Sequence, residues 1–332
     1  MSNSRGVMDD LLQGLRAAAE PTRLRILALC AHAELTVSDL VEILGQSQPR
    51  VSRHLKLLVD AGLLLRHQEG SFAYYRLADR GAGADLARQI VDLLPPEDPL
   101  HAADLERLQQ VQDVWAVKAA SYFRRNAANW SRLRALHANT DKVDTALRQL
   151  FEREPAENLL DVGTGAGHIL QLLGAQVENA VGIDLSRDML TVARANLFRG
   201  GLRHCQVRQA EMTALPFPAA HFDAVTLHMV LHYAQRPGAA IREAARVLRP
   251  GGRLVVVDFL PHEREELRSD HAHRWLGFSD AAIADFLVAA GLVADPPRHL
   301  GGDALTVALW LGRRPANDTE EADQSTTARG GN

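Results

Sequence analysis

The chain of 332 residues is 46% hydrophobic and 23% charged, an ordinary composition for a folded protein, and at about 150 residues per domain it predicts two domains. No apolar run reaches the roughly 18–20 residues that cross a bilayer and the first ten lack an apolar core, which argues against a membrane span or signal peptide and predicts a cytoplasmic protein. Two cysteines, Cys30 and Cys205, cannot build a disulfide framework or a multi-thiolate metal site, and a net charge of −4 excludes a uniformly basic nucleic-acid coat but permits a local basic patch.

Short helices and one hairpin fill residues 11–93. The run Leu94-Pro95-Pro96-Glu97-Asp98-Pro99 then reads as a stiff connector, because its three prolines cannot continue a helix. This sets a first domain at 1–98, with its core at 15–94. A polar helical stretch, 99–150, carries Tyr122, Phe123 and Trp130 and serves as linker or lid. From 151 to 312 strands alternate with helical patterns, the mark of a parallel α/β sheet. The tail 313–332 has no large apolar residue and is predicted to be disordered.

Within the first domain, residues 20–77 read as three helices and a hairpin. Pro21 suits the first turn of a helix. Thr36 is placed as the N-cap of the second, with Asp39 three residues on, and Gly45 allows a tight turn. The third helix begins near Ser47, and its apolar positions Val51, Leu55, Leu58 and Val59 recur at helical spacing. Gln48, Arg50, Ser52, Arg53 and Lys56 are left facing outward, with His54 as a further candidate cation and no acid between 47 and 58. Such a helix has the side chains that read major-groove edges and phosphates, although the same charges also suit a merely solvated face. Leu63–Arg66 and Ala73–Leu77 flank the tip Gln68-Glu69-Gly70-Ser71, so the hairpin after the third helix has the form of a wing.

The segments EPTRLRILALC, ELTVSDLVEILGQSQPRVSRHLKLLVDAGLLL and HQEGSFAYYRL resemble the ArsR/SmtB winged helix-turn-helix family over some 75 residues. The resemblance implies an α+β winged helix-turn-helix fold, a homodimer, and binding to an inverted repeat of double-stranded operator DNA. Ser47, Gln48, Arg50, Ser52, Arg53, His54, Lys56 and Arg66 are the implied contacts. The metal-sensing branch carries C-x-C where Thr36 and Ser38 stand here, and Gly81–Leu93 holds no His for the family's other metal site. Hydroxyls are poor ligands for thiophilic ions, so no metal is expected and the effector must be sought elsewhere.

Leu159–His168 is an apolar strand running into the turn Gly163-Thr164-Gly165-Ala166-Gly167 and then a helix. Glycines there let backbone approach a ligand at a helix N-terminus. Because position 168 is His, the spacing is G-x-G-x-G and departs from the dinucleotide fingerprint. The next strand ends in Asp184, placed to accept from ribose hydroxyls. A third unit over Cys205–Glu211, a strand at Phe222–His228, a turn at Arg246–Gly252 and a strand at Arg253–Phe259 follow.

In this order the motifs resemble class I S-adenosylmethionine-dependent methyltransferases over 158–311. The resemblance implies a Rossmann-like α/β domain with a mostly parallel seven-stranded sheet that binds S-adenosylmethionine or S-adenosylhomocysteine. By position, Asp161, Gly163, Thr164, Gly165 and Gly167 hold the methionine part. Asp184 takes the ribose, Leu185 packs on adenine, and Glu211 reaches the adenine amino group with Met212 beside it. His228 and Met229 end the fourth strand facing the methyl-transfer pocket, and Tyr122, Phe123 and Trp130 lie where such enzymes have a helical lid. His232 matches a position where some small-molecule O-methyltransferases carry a catalytic base.

The Asn/Asp-Pro-Pro-aromatic motif of nucleobase methyltransferases is absent, and arsenite methylation needs more cysteines than Cys205. His262, His271 and His273, with Glu263, Arg268 and Arg274, form a polar cluster read as substrate-facing or solvated rather than as a metal site. Two functions stand open. One is a transcriptional regulator whose methyltransferase domain senses the donor or its product, controlling methionine or methyl-cycle genes. The other is a small-molecule methyltransferase with an accessory winged helix.

Overall fold

The computed structural model describes residues 7–69, 72–78, 81–95, 97–125, 140–267, 273–301 and 305–316, with the side chains of 115–125 outside that description. Trp130, Arg268, His271, the side chains of Tyr122 and Phe123, and the tail beyond 316 therefore fall outside the described residues. The chain divides into two compact units, Met1–Lys118 and Ala119–Asn332.

In the first unit the elements are α1 (Val7–Ala18), α2 (Pro21–His32), β1 (Leu35–Thr36), α3 (Val37–Leu44), α4 (Gln48–Asp60), β2 (Leu64–Glu69), β3 (Phe72–Leu77), α5 (Ala82–Asp92) and α6 (Pro99–Arg125), the last running on past Lys118. Ile26, Leu27, Leu40, Ile43, Val51, Leu55 and Leu58 are fully buried, so α2, α3 and α4 share one core. Leu108 and Val111 of α6 join it, and Arg25 donates twice to the buried Asp104 carboxylate at 2.6 and 2.7 Å, tying α6 to α2. The expected hairpin pairs Leu64 with Leu77 through Glu69 with Phe72. A third strand, β1, pairs Leu35 and Thr36 with Tyr75 and Tyr74. Two residues are too short for the alternation by which strands are read.

Thr36 closes a capping box. Its hydroxyl accepts from the Asp39 amide at 3.2 Å and the Asp39 carboxylate accepts from the Thr36 amide at 2.8 Å, while Gly45 ends α3 at φ 63°. Thr36→Ala is therefore expected to cost about 1 kcal/mol, read in denaturant unfolding as a lower midpoint at unchanged slope.

The second unit contains α7 (Thr140–Arg153), β4 (Asn158–Val162), α8 (His168–Leu173), β5 (Asn179–Asp184), α9 (Arg187–Arg199), β6 (Cys205–Gln209), β7 (Phe222–His228), α10 (Pro237–Val247), β8 (Leu248–Phe259), α11 (Asp280–Ala289), β9 (Val293–Ala294), β10 (Arg298–Leu300) and β11 (Val307–Arg313). The sheet order is β10-β11-β8-β7-β4-β5-β6, with β9 paired to β11. Strands β4 to β8 are parallel and β11 runs antiparallel beside β8. Among the described residues the sheet thus has eight strands rather than seven, the extra one being the two-residue edge β9 on Gly312 and Arg313. All five residues of β4 are buried between two apolar layers, as a central parallel strand requires.

The predicted turn at 246–252 is instead the end of α10 and the start of β8. Leu248 pairs with Phe222, the register shifts between Phe222 and Ala224, and Gly251 sits at φ 77° in the irregularity. The chain order reverses at β4: β5 and β6 build outward on one side, β7 and β8 on the other. Such a reversal opens a crevice at the carboxyl ends of the strands, where ligands of open α/β sheets bind.

Candidate functional site

At that crevice β4 ends in Asp161-Val162 and the chain enters the glycine turn. Both the Gly163 and Thr164 amides donate to the Ile183 carbonyl at 2.8 Å, pinning the turn to β5. The Asn196 side chain of α9 donates to the Ala166 carbonyl at 2.9 Å. Gly163, Gly165 and Gly167 adopt φ of 77°, 53° and 82°, in the left-handed region that favours glycine. A Cβ on Gly163 would stand 2.2 Å from Val230 Cγ2, so the absent side chain is also a packing requirement.

Asp161 is 1% exposed and accepts from the Thr226 hydroxyl at 2.7 Å through Oδ1. Its Oδ2 is buried and meets no donor at full hydrogen-bond geometry, although the Thr164 hydroxyl lies close enough to favour the ionised carboxylate. Burial pushes the Asp161 carboxyl up to about 6, against the pull of the Thr226 and Thr164 hydroxyls. Asp184, at the tip of β5, accepts from the Gly165 amide at 2.9 Å and the Ser186 amide at 2.8 Å, and burial raises its pKa. Each Asp184 oxygen keeps acceptor capacity beyond those bonds. Leu185 stands exposed beside it and Met212 is half-buried against the apolar layer. Glu211 is exposed, with a weak contact from the Thr213 hydroxyl at 3.3 Å.

His228, at the end of β7, is half-buried with its ring 5.9 Å from that of His168. His168, the residue after the glycine turn, bonds Asp144 of α7 at 2.9 Å, and that bond raises its pKa. Met229 takes φ 52°, uncommon for a non-glycine, and turns the chain so that Val230 meets Gly163. His232 follows, 2% exposed, with Nδ1 2.8 Å from Asp258 Oδ1 of β8. Sequence reading missed Asp258, Asp144 and His168. Asp258 carried a usable signal, an acid near the carboxyl end of an otherwise apolar strand.

Of the polar cluster after β8, His273 is buried and stacks on His232 at 4.0 Å between centroids, while His262 is half-buried against Phe259. Among the described residues no group of three or more His, Cys, Asp or Glu could hold a metal ion, and no helix is long and apolar enough to cross a membrane.

In the first unit, α4 presents Ser47, Gln48, Arg50, Ser52, Arg53 and Lys56 to solvent, opposite its buried Val51, Leu55 and Leu58. His54 departs from that face. Its ring is half-buried, with Nδ1 3.6 Å from the carboxylate of Glu20, the N-cap of α2. Burial, with Arg23, Arg50 and Arg53 nearby, lowers its pKa against the pull of Glu20. The face therefore carries three cations, not four. Arg66 is exposed on β2 and donates to Gln68 at 2.5 Å.

Comparison with known proteins agrees with both halves. Residues 20–64 match the model of bacterial regulatory proteins of the arsR family, and residues 160–256 match a methyltransferase domain. The chain is 34% identical over 100 residues to the methyltransferase YcgJ of Bacillus subtilis, covering 30% of this chain and 40% of that one. It is 39% identical over 121 residues to a demethylmenaquinone methyltransferase of Thermus thermophilus, covering 36% of this chain and 52% of that one. The chain thus spans about half the length of these curated relatives. Among solved structures, the N-methyltransferase NodS of Bradyrhizobium japonicum, in complex with S-adenosyl-L-homocysteine, aligns with TM-score 0.45 at 20% identity over 53% of this chain and 88% of that one. Residues 20–64 belong to the arsR family of bacterial regulatory domains, and residues 160–256 form a methyltransferase domain.

Proposed function

We propose that this protein is a DNA-binding transcriptional regulator whose methyltransferase domain takes S-adenosylmethionine or S-adenosylhomocysteine as effector. The observation that carries the reading is the buried Asp161 carboxylate, whose Oδ2 meets no donor at full hydrogen-bond geometry, beside a turn whose three glycines take left-handed backbone. A buried unpaired acceptor costs about 1–3 kcal/mol, and an amino-acid ammonium is the donor that removes the cost. In this reading Asp161 takes the methionine ammonium, with Gly163, Thr164, Gly165 and Gly167 beneath it. The remaining acceptor capacity of Asp184 takes the ribose hydroxyls. Leu185 and Met212 flank the adenine, Glu211 meets its amino group, and His228 closes the sulfur side. When bound, the group supplies a transferable methyl or, once demethylated, a thioether.

A ligand that binds one conformation better must shift its population, which is how occupancy of the pocket reaches DNA affinity. Titration calorimetry with S-adenosylhomocysteine, repeated with the DNA flanking the protein's own coding region at fixed salt, tests the reading. Identical heats and identical DNA affinity in both arms refute the effector role. Arg53→Ala and Lys56→Ala are each expected to lower the slope of log affinity against log salt by about one unit, as loss of one phosphate contact requires. Met8, Leu11, Leu12 and Leu15 leave an exposed apolar stripe along α1 at helical spacing. It supports a homodimer that reads an inverted repeat with half-sites roughly 34 Å apart. Sedimentation of Leu11→Glu as a monomer, against a dimer for the parent, is the expected result.

A second reading, an active small-molecule methyltransferase, is favoured by one observation, the buried pair of His232 and Asp258.

A further inference from the structure

We infer that the outer edge of the methyltransferase sheet, around Arg199 and Arg203, binds the phosphate backbone of duplex DNA and adds a sequence-independent contact to those of the winged helix. The inference rests on the DNA-binding reading and is independent of the effector role.

Residues 189–210, from α9 through β6, hold four arginines, Arg194, Arg199, Arg203 and Arg208, together with His204 and no acid. That is a concentration of positive charge in a chain whose net charge is −4. The fold keeps the run together. Strand β6 is the outermost on its side of the sheet among the described residues, and α9 packs beside it, with the Arg194 guanidinium donating to the Val207 carbonyl at 3.2 Å. Arg199 ends α9 and Arg203 lies in the turn that leads into β6, both exposed. Gly201 stands between them with nothing within 4 Å of where a side chain would be.

The charges at that turn are not cancelled. Arg199 donates to the Asn196 side-chain oxygen at 2.6 Å and to the Ala195 carbonyl at 3.4 Å, both neutral acceptors. Among the described residues neither Arg199 nor Arg203 forms an ion pair, and Glu178, the acid beside the start of β5, forms none with them. The opposite side of the sheet is built differently. There His299 of β10 pairs with Asp280 at 2.9 Å and Arg313 of β11 with Asp295 at 2.8 Å.

Charged residues guard an edge strand against pairing with another sheet, and either sign serves that purpose. A run of one sign without counter-charges does more, because its field attracts a polyanion. Arginine side chains and backbone N–H groups are the donors that phosphates take, and an edge strand offers both. Duplex DNA is the polyanion that the arsR-family half brings to this chain.

The test measures affinity of the full chain, across a salt series, for the DNA flanking its own coding region and for an unrelated duplex of equal length. The double variant Arg199→Ala/Arg203→Ala is expected to lower the slope of log affinity against log salt by about two units on both duplexes. Arg199→Lys/Arg203→Lys is expected to keep the parent slope, because a phosphate contact of this kind needs only the charge. Arg298→Ala, at an exposed arginine of β10, is expected to change nothing. An unchanged slope in the double alanine variant, while Arg53→Ala lowers it, overturns the edge contact and leaves the winged helix standing. A chain that binds neither duplex overturns both. In the unmutated protein, duplex DNA is expected to shield Arg199 and Arg203 from phenylglyoxal, located by mass spectrometry, while Arg298 reacts. Absence of shielding overturns the inference even if the variants unfold. Shielding by polyglutamate and not by duplex, at the same salt, assigns the edge to an acidic protein and overturns it as well.

Discussion

Gly163→Ala is expected to lower the melting temperature of the second unit by about 4–20 °C and to abolish binding of S-adenosylhomocysteine. Two effects combine. The backbone at φ 77° is left-handed, which costs a residue with a Cβ about 1–2 kcal/mol. The added carbon would also stand 2.2 Å from Val230 Cγ2, and overpacking of that kind costs about 1–3 kcal/mol. Together they reach about 2–5 kcal/mol, converted at roughly 2–4 °C per kcal/mol for a unit of this size. Gly201→Ala is the control. It has φ 68° with nothing within 4 Å of the new carbon, so only the backbone effect remains. Scanning calorimetry that finds both variants equally stable removes the contact between Val230 and the glycine turn from the account.

Asp161 carries the second large effect. Its carboxyl is raised by burial from 3.8 to about 6, so the folded protein holds a proton that the unfolded chain has released between those values. Stability of the ligand-free protein therefore falls as pH rises from about 4 to about 6 and is level above, a loss of about 3 kcal/mol. Binding of a ligand that carries an ammonium favours the ionised form and must expel that proton. Affinity for S-adenosylhomocysteine is accordingly expected to climb up to about tenfold per pH unit below 6 and to level off above it. Calorimetry in buffers of different ionisation heat should register the released proton. Asp161→Asn is expected to flatten the pH profile and weaken binding by roughly 10–150-fold, the worth of a hydrogen bond to a charged group. A variant whose pH profile matches the parent's moves the recognition of the ammonium away from Asp161.

Local chemistry made much of this protein legible. The helix-turn-helix followed from Thr36, Gly45 and the spacing of Val51, Leu55 and Leu58, because caps, turns and helical periodicity act within a few residues. The glycine turn, and Asp184 at a strand tip, were readable for the same reason, since each is a backbone requirement written in neighbouring residues. Packing across the chain decided the rest. His54 shares its helix with Arg53 and Lys56 but turns inward because Glu20 lies beside it in space, 34 positions earlier. The strand β8 begins five residues sooner than its composition indicates because Phe222 offers Leu248 a ladder partner. The partner of His232 lies 26 positions away, at the end of an adjoining strand. Sequence spacing reports contacts along one helix or strand, whereas that pairing exists only after β7 and β8 lie side by side and the left-handed turn at Met229 swings the imidazole over the sheet edge.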